Sequence, residues 1–256
     1  MSNTIIYEFP LNERIRVFIR LEQLFQQFSH FSLGSSDADK RAAIIVLLDI
    51  MMIFRRNDLK SEILKELERD TKALQKITTD QAIDTSRLSD ILTQLADISK
   101  KLYATSGKIG LHIMECDLFQ SVAQRSSIPG GTCSFDLPEY YYWLQQDEER
   151  RLYDLKAWFA PFEETKIAIE LILNFIRSSS VPSQEVAQAG FFQIALDHTQ
   201  PHQLLKVSVA KSIACFAEIS GGKHRCTVRF MLPSTSEKRP SQSPDDIAFE
   251  LTCCAF

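Results

Sequence analysis

Apolar residues recur at three- and four-residue intervals up to about position 177 and at every second position after about 184, so the chain changes period once. The helical part follows a short strand, residues 4–9, that Pro10 ends. Asn12 is placed to cap a helix over 13–28, with Ile15, Phe18, Leu21, Phe25 and Phe28 as its buried stripe. Ser35-Ser36-Asp37 caps a second helix through Phe54, aliphatic on most sides but too short to span a bilayer. A third, over 58–77, turns Leu59, Ile63, Leu67 and Leu74 inward, and a polar connection over 78–85 leads to a fourth over 86–103. A short helix is expected near 109–125, and two more over 147–159 and 161–177. The stretch 126–138, with Pro129-Gly130-Gly131 at its centre, is the most punctuated of the chain. The aromatic segment 139–144 after it reads as core or as a seam between two copies. Strands are expected at 190–196, 204–209, 224–232 and 247–254, with a mobile loop over 233–244. The pattern predicts an α+β fold: a mainly helical domain, residues 10–177, packed with a smaller antiparallel β domain, residues 1–9 and 184–256. The carboxy-terminal strands form that sheet, and the amino-terminal strand is free to join them.

The strand after Gly221-Gly222 changes the picture from architecture to chemistry. Lys223, Arg225, Thr227 and Arg229 fall on one parity, and His224, Cys226, Val228, Phe230 and Leu232 on the other. The second set can face a core while three cations project from the opposite side. No acidic residue lies between Glu218 and Glu237, and the chain as a whole carries a formal net charge of −4, so the cluster is not a by-product of composition. It reads either as the solvated outer face of an antiparallel sheet or as a platform for an anionic partner. Arg16 and Arg20, four apart on the first helix, share a face, and Arg55, Arg56 and Lys60 gather at the junction of the second and third helices.

Candidate catalytic chemistry is sparse. Eight glycines leave no Walker A or GxGxxG pattern, and neither CxxC nor HExxH occurs. His112 and Cys116 are spaced to pinch a metal on one helix, with no further ligand near, so no metal and no cofactor is expected. His198 and His202 flank a proline and read as loop residues. Cys133 follows the Gly-Gly turn without a neighbouring histidine to activate it, and Cys253-Cys254 read as packing residues. Six cysteines without framework spacing, no signal-peptide pattern and no bilayer-length apolar run lead to the expectation of a cytoplasmic protein that is not an enzyme. The acidic total argues against a dedicated nucleic-acid binder.

Several segments together resemble the ZapD family. They are Pro10-Leu11-Asn12-Glu13 with Arg16 and Arg20, Leu64-Lys65-Glu66-Leu67, and Ser127-Ile128-Pro129-Gly130-Gly131 through Cys133-Ser134-Phe135-Asp136-Leu137-Pro138. Ile219-Ser220-Gly221 through Arg225, Arg229-Phe230-Met231 and Phe249-Glu250-Leu251-Thr252-Cys253-Cys254 complete the set. The resemblance implies a bacterial cytosolic factor of the division ring, recruited to mid-cell. It implies binding to the flexible carboxy-terminal tail of the tubulin-like GTPase FtsZ, bundling of its protofilaments and slower GTP turnover. It also implies a symmetric homodimer of a helical and a β domain, with no nucleic-acid or membrane partner. Carried over residue by residue, the implied binding positions are Arg16, Arg20, Arg56, Arg225 and Arg229, with Lys223 beside them and Lys108 and Tyr141 on a further edge. Asp117 or nearby polar residues stand where some relatives have a basic residue, and Tyr141 where some have histidine; Lys108 and Arg125 are the cations able to compensate. Two alternatives remain beside this reading. One is a single-stranded nucleic-acid module on the same basic patch, against which the outward parity of 223–229 offers no aromatic for stacking. The other is a hydrolase centred on Cys133 or the histidines.

Overall fold

The computed structural model describes residues 3–77, 85–105, 107–197, 199, 201–222, 224–234 and 239–255. They divide into two compact units: residues 17–172, and residues 1–16 with 173–256. The divisions fall inside the helices α1 (Glu13–Leu33) and α9 (Glu163–Ser178). The α+β class is as the periodicity predicts, with helices first and antiparallel strands mostly last.

In the helical unit, Asn12 caps α1 as predicted: its Oδ1 accepts from the Ile15 N–H at 2.9 Å. The stripe from Ile15 to Phe28 is buried, and the helix continues five residues beyond Phe28 to Leu33. Ser36 and Asp39 form a reciprocal capping box at the start of α2 (Asp37–Arg56). Then come α3 (Leu59–Ile77) and α4 (Thr85–Ala104), which pack together. The helix expected over 109–125 is two pieces, α5 (Leu111–Met114) and α6 (Asp117–Arg125), because the backbone at Cys116 is extended and serves as the cap of the second. The aromatic segment is a helix, α7 (Pro138–Leu144), with proline in its first turn; Tyr140 and Trp143 are buried while Tyr141 and Tyr142 face water. A single 3₁₀ turn, Ala160–Phe162, separates α8 (Glu148–Phe159) from α9. Phe159 of α8 stacks on Phe28 at 4.3 Å and meets Phe25 edge-on at 5.8 Å, both on α1, so the two helices share one aromatic centre.

The β unit contains two antiparallel sheets. One has the order β1 (Thr4–Pro10), β4 (His202–Ala210), β8 (Ile247–Ala255), β2 (Ser183–Ala187). The amino-terminal strand therefore joins the carboxy-terminal ones, as expected. The second has the order β3 (Phe191–Ala195), β6 (Arg225–Leu232), β5 (Phe216–Gly221), with β7 (Ser241–Gln242) also pairing β6. Leu205, Val207, Phe249 and Leu251 of the first sheet and Cys226, Val228 and Phe230 of the second form one buried core. Gly190, at φ +70°, makes the turn into β3 possible: a Cβ there would stand 2.7 Å from Ser243 O and 3.0 Å from Phe230 O. Three strands escape the period-2 reading. β2 is largely polar, β5 is an edge strand with blurred alternation, and β7 lies inside the stretch expected to be a mobile loop, where Gln242 pairs with Met231.

Candidate partner-binding surface

β6 is central in its sheet, and that position forces the alternation read from its sequence. Cys226, Val228 and Phe230 are fully buried, Thr227 is half-buried, and Arg225 and Arg229 are exposed. The strand begins at Arg225 rather than at residue 224, and His224 and Leu232, assigned to the inward parity, are exposed at its ends. Lys223 lies outside the described residues.

The register of the neighbouring strands separates the two arginines chemically. Arg229 stands directly opposite Glu218 on β5 and Phe191 on β3. Glu218 bounds the acid-free stretch in sequence, yet the fold returns it to the outer face, where its position on β5 faces that of Arg229. Arg225 has small neighbours instead. Its carbonyl accepts the Gly222 N–H at 3.0 Å across the β5–β6 connection, and Ala195 is its partner on β3. An open cleft of about 590 Å3 lies here, lined by Ser220, Gly221, Gly222, His224, Arg225 and Thr227. Two hydroxyls and a guanidinium around an open concavity form a donor set suited to a carboxylate or another oxyanion.

Arg16 reaches the same region through a shared neighbour. Its guanidinium lies 5.9 Å from the centroid of the Phe9 ring, and a Cβ at Gly221 would stand 3.5 Å from Phe9 Cε1. Phe9 therefore has Arg16 over its face and the cleft wall against its edge. Arg16 is half-buried and paired with Glu13 at 3.1 Å, so its charge is shared. The β unit thus holds Arg16, Arg225 and Arg229, whereas Arg20, Arg56, Lys108 and Tyr141 belong to the helical unit, all four exposed.

Within the helical unit, Arg56 and Lys108 are brought to one corner. The Phe162 ring meets Phe54, two residues before Arg56, at 5.0 Å and also packs against Gly110, two residues after Lys108. Lys60 Nζ donates to Thr105 O at 2.5 Å, tying the start of α3 to the same connection. Arg125, the other cation considered near this edge, lies 3.6 Å from Asp136 and is partly committed. Asp117, the departure from a basic residue, is the first residue of α6, where a carboxylate favours the helix dipole.

The remaining candidates separate on geometry. His112 and Cys116 do not share a helix face, because α5 ends between them, and among the described residues no group of three His, Cys, Asp or Glu is placed to hold a metal. Burial pushes the Cys226 thiol up to about 12 and that of Cys254 to about 11, so both stay protonated at neutral pH and behave as packing groups. Cys133 lies exposed in the punctuated turn, where Arg41 donates to Thr132 O at 3.1 Å. No described helix is long and apolar enough to cross a membrane.

A family model described as ZapD, cell division protein, matches residues 19–229. The "Cell division protein ZapD" of Methylococcus capsulatus is 49% identical over 254 residues, covering 99% of either chain. Its namesake from Azoarcus sp. is 37% identical over 252 residues, 98% of this chain and 100% of the relative. That of Nitrosomonas europaea is 36% identical over 256 residues, 100% of this chain and 97% of the relative. The names are those of cell division proteins rather than enzymes, and the matches run nearly end to end. The chain belongs to the ZapD family of cell division proteins.

Proposed function

We propose that this protein binds the carboxy-terminal tail of FtsZ through its basic surfaces, cross-links FtsZ protofilaments as a homodimer and so promotes assembly of the division ring at mid-cell. The observation that carries this reading is the Arg225 cleft, a concentration of hydrogen-bond donors and positive charge on a chain whose net charge is −4. Arg16, Arg225 and Arg229 of the β unit, Arg20, Arg56, Lys108 and Tyr141 of the helical unit, and Lys223, assigned from the sequence alone, are the residues given to tail contact. The role is not enzymatic and needs no cofactor.

Each exposed charge pair contributes about 1 kcal/mol or less and is screened by salt, so one tail on one protomer is held weakly. A symmetric dimer offers each site twice. Once one tail is engaged, the second meets a tail at high effective concentration, and weak contacts become a durable cross-link. Holding subunits in bundled filaments lowers GTP turnover without any contact to the GTPase site.

Co-sedimentation with FtsZ, with and without its tail, across a salt series tests the reading. The expected result is pelleting that requires the tail and fades with salt. Normal bundling by the double variant Arg225→Glu, Arg229→Glu overturns it. One observation favours a second reading: Phe191, 39% exposed, stands beside Arg229 on the outer face and offers a base the stacking surface absent from residues 223–229. Filter binding of single-stranded DNA, abolished by Phe191→Ala, is the result that selects it.

A further inference from the structure

We infer that the partner's acidic segment binds as an added β-strand along the free edge of β5, with its carboxylate-bearing end in the Arg225 cleft. This rests on the proposed capture of an acidic tail and says how the tail is held.

The hydrogen-bond phase of the second sheet fixes which groups of β5 are available. His224 O accepts from Leu196 N–H at 3.0 Å and Phe230 N–H donates to Gly190 O at 2.8 Å, so the even-numbered residues of β6 bond toward β3. Gly222 N–H donates to Arg225 O, so the odd-numbered residues bond toward β5. With Glu218 opposite Arg229 and Ser220 opposite Thr227, the alternation of antiparallel pairing commits Glu218 and Ser220 to β6. The N–H and C=O groups of Ala217, Ile219 and Gly221 then point away from it. Among the described residues no strand pairs β5 on that side.

Exposed edges are usually blunted by proline, lysine or a bulge. Phe216-Ala217-Glu218-Ile219-Ser220-Gly221 has neither residue, and its register against β6 runs without a shift. Ala217 and Ile219 are only half-buried at this margin of the core. Main-chain pairing supplies affinity in such additions, and alternate side chains supply specificity.

Charge fixes the occupant. Ser220 and Gly222, opposite Thr227 and Arg225, carry nothing tall enough to stand between the Arg225 guanidinium and a strand laid along β5. Farther along, Glu218 does stand between that strand and Arg229. The site therefore selects an extended peptide with an aspartate or glutamate beside Ser220–Gly222 and a non-acidic residue beside Glu218.

Amide hydrogen exchange on the full-length protein, free and saturated with a synthetic peptide of the FtsZ carboxy-terminal tail, tests this. The amides of Ala217 and Ile219 are expected to exchange at least tenfold more slowly with peptide bound, while those of Glu218 and Ser220 change little. Peptide that binds in an Arg225-dependent way yet leaves Ala217 and Ile219 unprotected overturns the added strand and leaves the charge-based reading standing. Peptide that does not bind at all overturns both. As a second measurement, N-methylation of alternate peptide residues should weaken binding at least tenfold in one phase only; equal loss in both phases sinks the proposal.

Discussion

Two parts of this chain set like charges side by side, in opposite media. On β6, Arg225 and Arg229 share the outer face of a sheet, both exposed to water. On α3, Glu66 and Asp70 sit one turn apart in the interior, 2% and 0% exposed, with Arg69 against Glu66 at 2.5 Å. Water screens the first pair, so its repulsion costs little and its charge stays available to a ligand. The second pair has no such relief. Among the described residues, neither carboxylate oxygen of Asp70 has a hydrogen-bond partner. Surface like charge is a binding resource, whereas buried like charge makes stability depend on pH.

The largest expected effect breaks the buried side of that comparison. Burial, reinforced by Glu66 and opposed by Arg69, pushes the Asp70 carboxyl up to about 7 from its ordinary value of 3.8. Between those values the folded chain holds a proton that the unfolded chain has lost. Stability therefore falls as pH rises from about 4 to 7 and levels off above. Asp70→Asn removes this loss. At about 1.4 kcal/mol per pH unit, the variant is expected to gain a few kcal/mol at pH 8 and only about 1 kcal/mol at pH 4.5. Thermal melts at the two pH values decide it. An equal difference at both would mean that Asp70 is ionised throughout.

Next in size is the exposed side. Arg225→Glu should weaken tail binding by about tenfold or more at low salt, since it replaces an attraction by a repulsion, with each contact near 1 kcal/mol. Its melting temperature should stay within about 1 °C of the parent, because exposed substitutions rarely disturb folding. Arg229→Glu should do less than half as much on a logarithmic scale, since an acidic ligand approaching that position also meets Glu218 across the strands. Titration of a labelled tail peptide with each variant measures the ranking, and equal losses would remove the distinction drawn between the two positions.

How much of this was legible in the sequence follows the same divide between centre and edge. β6 was readable because both of its neighbours are strands and its inner face meets a core, so only alternate residues may be apolar. β5 was not, because an edge strand tolerates Ala217 and Glu218 without a clean period. The cations of the candidate site were visible as a local excess, but Glu218 beside Arg229 was not, since pairing register is a property of the folded sheet. Asp70 did leave a trace: it falls between Leu67 and Leu74 on the stripe of α3 expected to face inward. Its burial was missed because a carboxylate is normally assigned to water. Leu74, expected inward, is only half-buried.

The smallest expected effect sharpens the comparison at its finest point, the pair Glu218 and Arg229. Opposite charges facing each other across strands contribute roughly 0.2–1 kcal/mol, and the same pairing dilutes the field that an acidic ligand meets. Glu218→Gln should therefore raise affinity for the tail by about two- to threefold at low salt, with the gain lost near 0.5 M salt. If Glu218 acts by offsetting Arg229, the gain shrinks when Arg229→Ala is already present; if it repels the ligand directly, the gain survives. The double-mutant cycle on tail affinity separates the two. A surviving gain would place the peptide's acidic residue beside Glu218 itself, and so move the ligand along β5 away from the Arg225 cleft.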